Sequence, residues 1–284
     1  MTMRSLISAD ELAACQAHGD VLVVDCRFAL ADPEQGEREY LAGHIPGAVY
    51  ASLDRDLSDL SKRGAGRHPL PGDFAFSALL SRWGWRSDLD VVAYDDAGGA
   101  LAAARLWWLL RLAGQDRARV LDGGLAAWRA AGFGLETGLS QRAATDVQVV
   151  FDRAQVVWFD ELERRREEGV VLVIDARAAA RYRGEVEPVD AVAGHVPGAI
   201  NRPFASNLDA RGHFKPEAQL REEFERALRG RAADTVAHMC GSGVTACHNL
   251  LAMEHAGLGG SRIFAPSWSG WISDRSRPVA TGSA

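Results

Sequence analysis

Apolar, β-rich runs recur along this chain, and each is followed by a stretch of helical composition. In the first half the runs are Val21 to Asp25, Ala48 to Tyr50, Val91 to Tyr94 and Arg119 to Leu121. The helical stretches lie at Asp10 to Ala17, Phe74 to Trp83, Ala102 to Leu112 and Leu125 to Ala131. Strand–helix alternation of this kind predicts an α/β fold, a mostly parallel sheet flanked by helices on both faces. Active sites in such sheets lie beyond the carboxyl ends of the strands.

The pattern occurs twice. Leu22-Val23-Val24-Asp25-Cys26-Arg27 recurs as Leu172-Val173-Ile174-Asp175-Ala176-Arg177, and Ala42-Gly43-His44-Ile45-Pro46-Gly47-Ala48 recurs as Ala193-Gly194-His195-Val196-Pro197-Gly198-Ala199. Asp10-Glu11-Leu12 pairs with Asp160-Glu161-Leu162 upstream, and Trp128 with Trp271 downstream. A repeat this long is a duplicated domain rather than a solenoid unit. The expected division is a first domain over 1–136, a linker over 137–151 around the patternless Thr137 to Arg142, and a second domain over 152–284.

Thr235 to Met239 predicts a short buried strand, and Thr245 to Met253 a helix. Between them lies Cys240-Gly241-Ser242-Gly243-Val244-Thr245. Small residues let backbone N–H groups turn inward, and a helix N-terminus adds partial positive charge. The loop is therefore a candidate anion cradle with the Cys240 sulfur at its centre, an environment that favours a thiolate nucleophile. Aligning Val91 to Tyr94 with Val236 to Met239 puts Asp95 opposite Cys240, so only the second half keeps the nucleophile.

Composition narrows the classes. The chain has 284 residues, 47% hydrophobic and 25% charged, as expected of a globular protein of two ordinary domains. A formal charge of −6 argues against general nucleic-acid binding. No run suits a bilayer span, the first eleven residues lack a signal-peptide core, and four scattered cysteines suit no disulfide framework. The expectation is a cytoplasmic protein without a membrane partner. Lys62 and Lys215 are the only lysines, so the basic residues are nearly all Arg, and an Arg here is weaker evidence of an anion site than usual.

The duplicated Asp-x-Arg and Gly-His-x-Pro-Gly-Ala blocks, with a Cys loop in the second half only, resemble the two-domain rhodanese sulfurtransferases from about Ser8 to Trp271. The loop from Cys240 to Thr245 looks like the 3-mercaptopyruvate branch. The resemblance implies two tandem rhodanese-like domains, with sulfane sulfur moving from 3-mercaptopyruvate, through a Cys240 persulfide, to cyanide, a small thiol or a thioredoxin-like protein. It implies no cofactor and no metal. It makes Gly241, Gly243, Val244 and Thr245 the substrate-binding loop around the sulfur, Arg181 the grip on the donor's anion, and Ser242, His68 and Asp54 a hydrogen-bonded set whose last two members come from the first domain, itself non-catalytic and expected to shape the cleft. His68-Pro69-Leu70-Pro71 carries the His of that set, and Ala51-Ser52-Leu53-Asp54 the Asp. One departure favours the thiosulfate branch: Glu187-Pro188 is followed by Val189-Asp190, where mercaptopyruvate enzymes usually have a second arginine. Thiosulfate:cyanide transfer and a non-catalytic persulfide carrier are the alternatives.

Blander readings apply elsewhere. Cys247 sits inside the helix as a small core residue. His44 and His195 occur in both halves, which favours structural turns, and Arg27 and Arg177 are expected to pair with Asp25 and Asp175. Zinc ligation by His238, Cys240, Cys247 and His248 matches no CxxC spacing. A cysteine phosphatase would need an arginine where Ala246 stands.

Overall fold

The computed structural model describes residues 4–283, so Met1 to Met3, where the reading of the N-terminus begins, lie outside the described residues. The chain divides into two compact units. The first comprises residues up to Asp59, Leu70–Asp152 and Ala210–Phe214; the second comprises Leu60–Pro69, Arg153–Asp209 and the chain from Lys215 onward.

The first unit is built on five parallel strands, β1 (Leu6–Ile7), β2 (Val21–Asp25), β3 (Val49–Tyr50), β4 (Asp90–Tyr94) and β5 (Ala118–Leu121), in the order β1-β5-β4-β2-β3. The second is built on β6 (Val156–Val157), β7 (Leu172–Asp175), β8 (Ile200–Asn201), β9 (Val236–Met239) and β10 (Arg262–Phe264), in the order β6-β10-β9-β7-β8. The two orders are the same order. Every residue of β2 and of β7 is buried, as a central strand of a doubly covered parallel sheet requires.

Helices α1 (Ala9–His18), α2 (Gln35–Ala42), α3 (Asp73–Arg82), α4 (Ala103–Leu112) and α5 (Gly124–Ala130) belong to the first unit. Helices α6 (Phe159–Glu167), α7 (Ala179–Tyr182), α8 (Glu217–Leu228), α9 (Thr245–His255) and α10 (Ser267–Trp271) belong to the second. Helix α1 starts on a capping box: Ser8 Oγ accepts the Glu11 N–H, and the Glu11 carboxylate accepts the Ser8 N–H. In α8 the buried residues are Leu220, Phe224 and Leu228, one stripe at four-residue spacing. By contrast α4 buries every residue except Arg111, and α9 buries Ala246 through Met253. These two all-buried helices follow the corresponding strands β4 and β9.

The sequence pattern does not reveal α2, whose polar run buries only Gly36 and Tyr40. Nor does it reveal the two-residue edge strands β1 and β6. Residues 137–151, expected as a linker, have no helix or strand; Thr145 N–H donates to Ser81 O (3.0 Å) and Val149 N–H to Ser77 Oγ (3.0 Å), tying the segment to α3.

The duplicated motifs form the same brace in each unit. Arg27 donates through Nε and Nη2 to the Asp25 carboxylate and through Nη2 to Gly43 O at 2.8 Å. Arg177 does the same toward Asp175 and Gly194 O, the latter at 2.7 Å. His44 stacks on Tyr40 at 4.1 Å and His195 on Tyr182 at 3.8 Å, each with Nδ1 2.8 Å from that tyrosine's carbonyl oxygen. Both histidines are buried in turns, tying each Gly-His turn to the preceding helix.

Candidate active site

Cys240 follows the last residue of β9, at the carboxyl edge of the second sheet, and is 2% exposed. Its N–H donates to Ser267 Oγ at 3.1 Å, and its carbonyl accepts the Trp268 N–H at 2.9 Å. Helix α10 thus holds the cysteine backbone from one side. From the other, the Gly243 N–H points at Sγ from 3.1 Å. Gly243 adopts φ +82°, a left-handed conformation that suits glycine, and this turn brings its N–H inward. Among the described residues Gly243 alone hydrogen-bonds Sγ; Gly241 and Val244 lie in the same loop, and Thr245 opens α9. Cys247 is fully buried one turn into α9, where its thiol donates to Gly243 O at 3.3 Å. It braces the loop rather than facing the site.

Ser242 Oγ lies 2.8 Å from His68 Nδ1, and both side chains are buried. His68 comes from the first half of the sequence, yet its segment, Leu60–Pro69, folds as part of the second unit. This strap is tied down at several points. The Arg67 N–H donates to Ser269 Oγ at 2.9 Å, and Ser273 Oγ donates to Gly64 O at 3.3 Å. Gly66, at φ +94°, lies so close to α10 that a Cβ there would fall 2.5 Å from Pro266 O. Asp54 sits half-buried in a turn of the first unit.

Arg181, in α7, is held by acids. Its Nε and Nη2 donate to Glu187, with Nη2–Oε1 at 2.6 Å, and Nη2 also reaches Asp190 Oδ2 at 2.9 Å. Desolvation pushes the Glu187 carboxyl up, but hydrogen bonds from Arg181 and from the Asp190 and Val189 N–H groups bring it below the usual carboxylate range. Arg67 pairs with the other oxygen of Asp190, Nη1–Oδ1 at 2.7 Å. Both guanidinium groups border Gly241: a Cβ there would lie 3.2 Å from Arg67 Nη2 and 3.7 Å from Arg181 Nη1. Arg67 and Asp190 are the residues that sequence reading missed. The Val189 side chain, expected as a lost arginine position, is 40% exposed, and only its backbone N–H joins the cluster, through Glu187.

The equivalent loop of the first unit is filled by its own side chain. Asp95 follows β4 as Cys240 follows β9; Tyr94 O accepts the Cys26 N–H at 2.7 Å, and Met239 O accepts the Ala176 N–H at 2.8 Å. The buried Asp95 carboxylate accepts backbone N–H groups from Ala97 (2.9 Å), Gly99 (2.8 Å), Leu101 (3.0 Å), Ala102 (3.3 Å) and Ala103 (3.3 Å). Burial pushes this carboxyl above its usual range, while the N–H groups pull the other way. Among the described residues, no group of three or more His, Cys, Asp or Glu is placed to hold a metal ion. No helix there is long and apolar enough to cross a membrane.

The rhodanese-like domain family matches twice, over residues 8–131 and 159–274. The chain belongs to the rhodanese family. A Pseudomonas aeruginosa relative, provisionally named a 3-mercaptopyruvate sulfurtransferase, is 49% identical over 99% of this rhodanese chain and 100% of its own. A Mycobacterium tuberculosis relative, provisionally named a thiosulfate sulfurtransferase, is 43% identical over 98% of each chain. The crystal structure of a 3-mercaptopyruvate sulfotransferase from Escherichia coli aligns with a TM-score of 0.80 and 31% identity, covering 94% of this chain and 100% of that one.

Proposed function

We propose that this rhodanese protein moves sulfane sulfur from 3-mercaptopyruvate to a thiophilic acceptor through a persulfide on Cys240. The Cys240 thiolate attacks the donor's sulfur, and the carbon–sulfur bond breaks with its electron pair passing into the enolate of pyruvate. The donor's S–H proton then finishes on the enolate carbon. Sulfur stays on the cysteine as a persulfide anion beside the Gly243 N–H, until cyanide takes the outer atom as thiocyanate and restores the thiolate.

The observation that carries the donor choice is the buried Ser242–His68 pair at 2.8 Å. An enolate needs its oxygen polarised and a proton handled, which a hydroxyl backed by an imidazole supplies. Sulfite, the leaving group from thiosulfate, departs as an anion and needs neither. The charge balance points the same way. Arg67 and Arg181 are matched by Glu187 and Asp190, which leaves no net positive charge for a dianion in a partly dry pocket. The relative named for mercaptopyruvate, at 49% identity, adds support. Thiosulfate is the second reading, favoured by Val189 and by the relative named for it.

Turnover with 3-mercaptopyruvate and with thiosulfate at matched concentrations separates the two. A higher kcat/KM for mercaptopyruvate is expected; the reverse order overturns the donor choice. Intact-mass measurement should show one added sulfur after donor treatment, absent from Cys240→Ser. No turnover with either donor, alongside a stable adduct, would make the protein a persulfide carrier.

A further inference from the structure

The proposed donor-binding grip contains one arginine, Arg181, but the structure holds a second cation in an equivalent position. Arg67 reaches the same face of Gly241 from the 60–69 strap, with Nη2 3.2 Å and Arg181 Nη1 3.7 Å from where a Cβ on Gly241 would lie. One carboxylate sets the spacing of the two: Asp190 takes Arg67 on Oδ1 at 2.7 Å and Arg181 on Oδ2 at 2.9 Å. The Asp190 side chain is 3% exposed, and its N–H is bonded to Glu187 at 3.0 Å, so this bridge is fixed by the fold rather than loosely paired at a surface.

What each guanidinium leaves unused is informative. Arg27 and Arg177 spend the Nε–Nη2 edge on a carboxylate, the fork geometry that suits bidentate pairing. Arg181 spends the same edge on Glu187, leaving Nη1 without a hydrogen bond among the described residues. Arg67 spends Nη1 on Asp190 instead, so its Nε–Nη2 edge is unengaged, and Nε is buried with no partner. Arg181 Nη1 and Arg67 Nη2, both beside Gly241, are thus unspent donors for an incoming acceptor.

We propose that Arg67 is a donor-binding residue, which together with Arg181 clamps the donor's anionic group over Gly241, with Asp190 as the positioning residue that sets the two guanidinium groups side by side. This rests on the sulfurtransferase reading for the identity of the donor, but not for the existence of the clamp. A carboxylate in the clamp accepts from Arg181 Nη1 and from Arg67 Nη2, and its chain is directed toward Cys240, the neighbour of Gly241.

A probe independent of the natural donor tests the clamp. Cys240 in the full-length chain is alkylated with iodoacetate and, separately, with iodoacetamide, and modification of Cys240 is followed by peptide mass mapping. Both reagents react alike: the thiolate displaces iodide and a carbon–sulfur bond forms. Only iodoacetate carries the carboxylate. The ratio of the two rates should fall about tenfold in Arg67→Ala and recover in part in Arg67→Lys, while thermal unfolding is little changed. In steady-state assays with 3-mercaptopyruvate, Arg67→Ala should raise KM by a similar factor and alter kcat much less. Should Arg67→Ala fail to fold, Arg67→Gln keeps the stem and removes the charge. An unchanged alkylation ratio and unchanged KM in a folded charge-removing variant overturn the proposal. If wild-type protein ignores mercaptopyruvate, the donor assignment fails while the alkylation ratio still decides the role of Arg67.

Discussion

The chemistry proposed for Cys240 rests on a few atoms whose roles separate by substitution. Ser242→Ala removes the hydroxyl that His68 holds at 2.8 Å. The expected result is a fall in kcat with 3-mercaptopyruvate of about a hundredfold, the lower range for loss of acid–base assistance, and a much smaller fall with thiosulfate. Equal losses with both donors would mean the pair only shapes the loop. Cys247→Ser keeps a donor for Gly243 O and should retain most activity, since the thiol of Cys247 points at the loop backbone and not into the site. Cys26 offers no competing nucleophile: burial, then the Asp25 and Asp95 carboxylates, push its thiol well above the ordinary range. Cys240, Ser242, His68 and Arg181 could be named as candidates because each sits in a short motif of distinctive residues. Arg67 could not. In a chain whose basic residues are nearly all arginine, a loop arginine carries no signal, and its partner Asp190 is 123 positions away.

Among the elements, the strap 60–69 brings His68 to Ser242 and Arg67 to Gly241 in the candidate site. Gly66→Ala would put a methyl group 2.5 Å from Pro266 O at a φ of +94°, so the strap must shift off α10. A loss of about 1–3 kcal/mol in unfolding free energy is expected, with activity falling as the loss of His68 from the Ser242 pair is expected to make it fall. Denaturant titration and kcat/KM check both; a variant with full activity would mean that His68 does not depend on the strap's seat. The strap has no helix or strand, which is why the apolar pattern is silent about it. The same pattern was clear for β2, β4, β9 and α4, because a central parallel strand and an all-buried helix are continuous apolar text. It failed for β1, β6 and α2, which lie at edges or expose polar faces and bury too little to leave a period.

For the molecule as a whole, acid sensitivity should trace in good part to one core residue of the second unit. His238, fully buried in β9, has its pKa lowered to about 3 by desolvation and by the nearby Arg202 charge, against 6.5 for an ordinary histidine. Its stabilising contribution as a neutral group is therefore complete above about pH 6.5. It declines as pH falls from there toward 3, because the unfolded chain takes up a proton that the folded one refuses. Between pH 7 and pH 5 this amounts to about 2 kcal/mol. Urea unfolding at the two pH values should show that loss in the wild type and a flatter profile in His238→Gln; parallel profiles would refute it.

The carboxylate of Asp95, ringed by five N–H donors, has a consequence for how the two halves behave in time. The first unit carries the acceptor of its loop N–H groups as part of its own chain, so that loop is occupied at every moment and its order never depends on supply. The loop of the second unit is three residues shorter between strand and helix, and under the proposed chemistry its anion, the persulfide, arrives and leaves with every turnover. One fold thus exists here in a permanently loaded and an intermittently loaded copy. Protection of the Gly241–Thr245 amides from hydrogen exchange should rise when the persulfide forms, while the amides around Asp95 keep a constant pace as an internal clock.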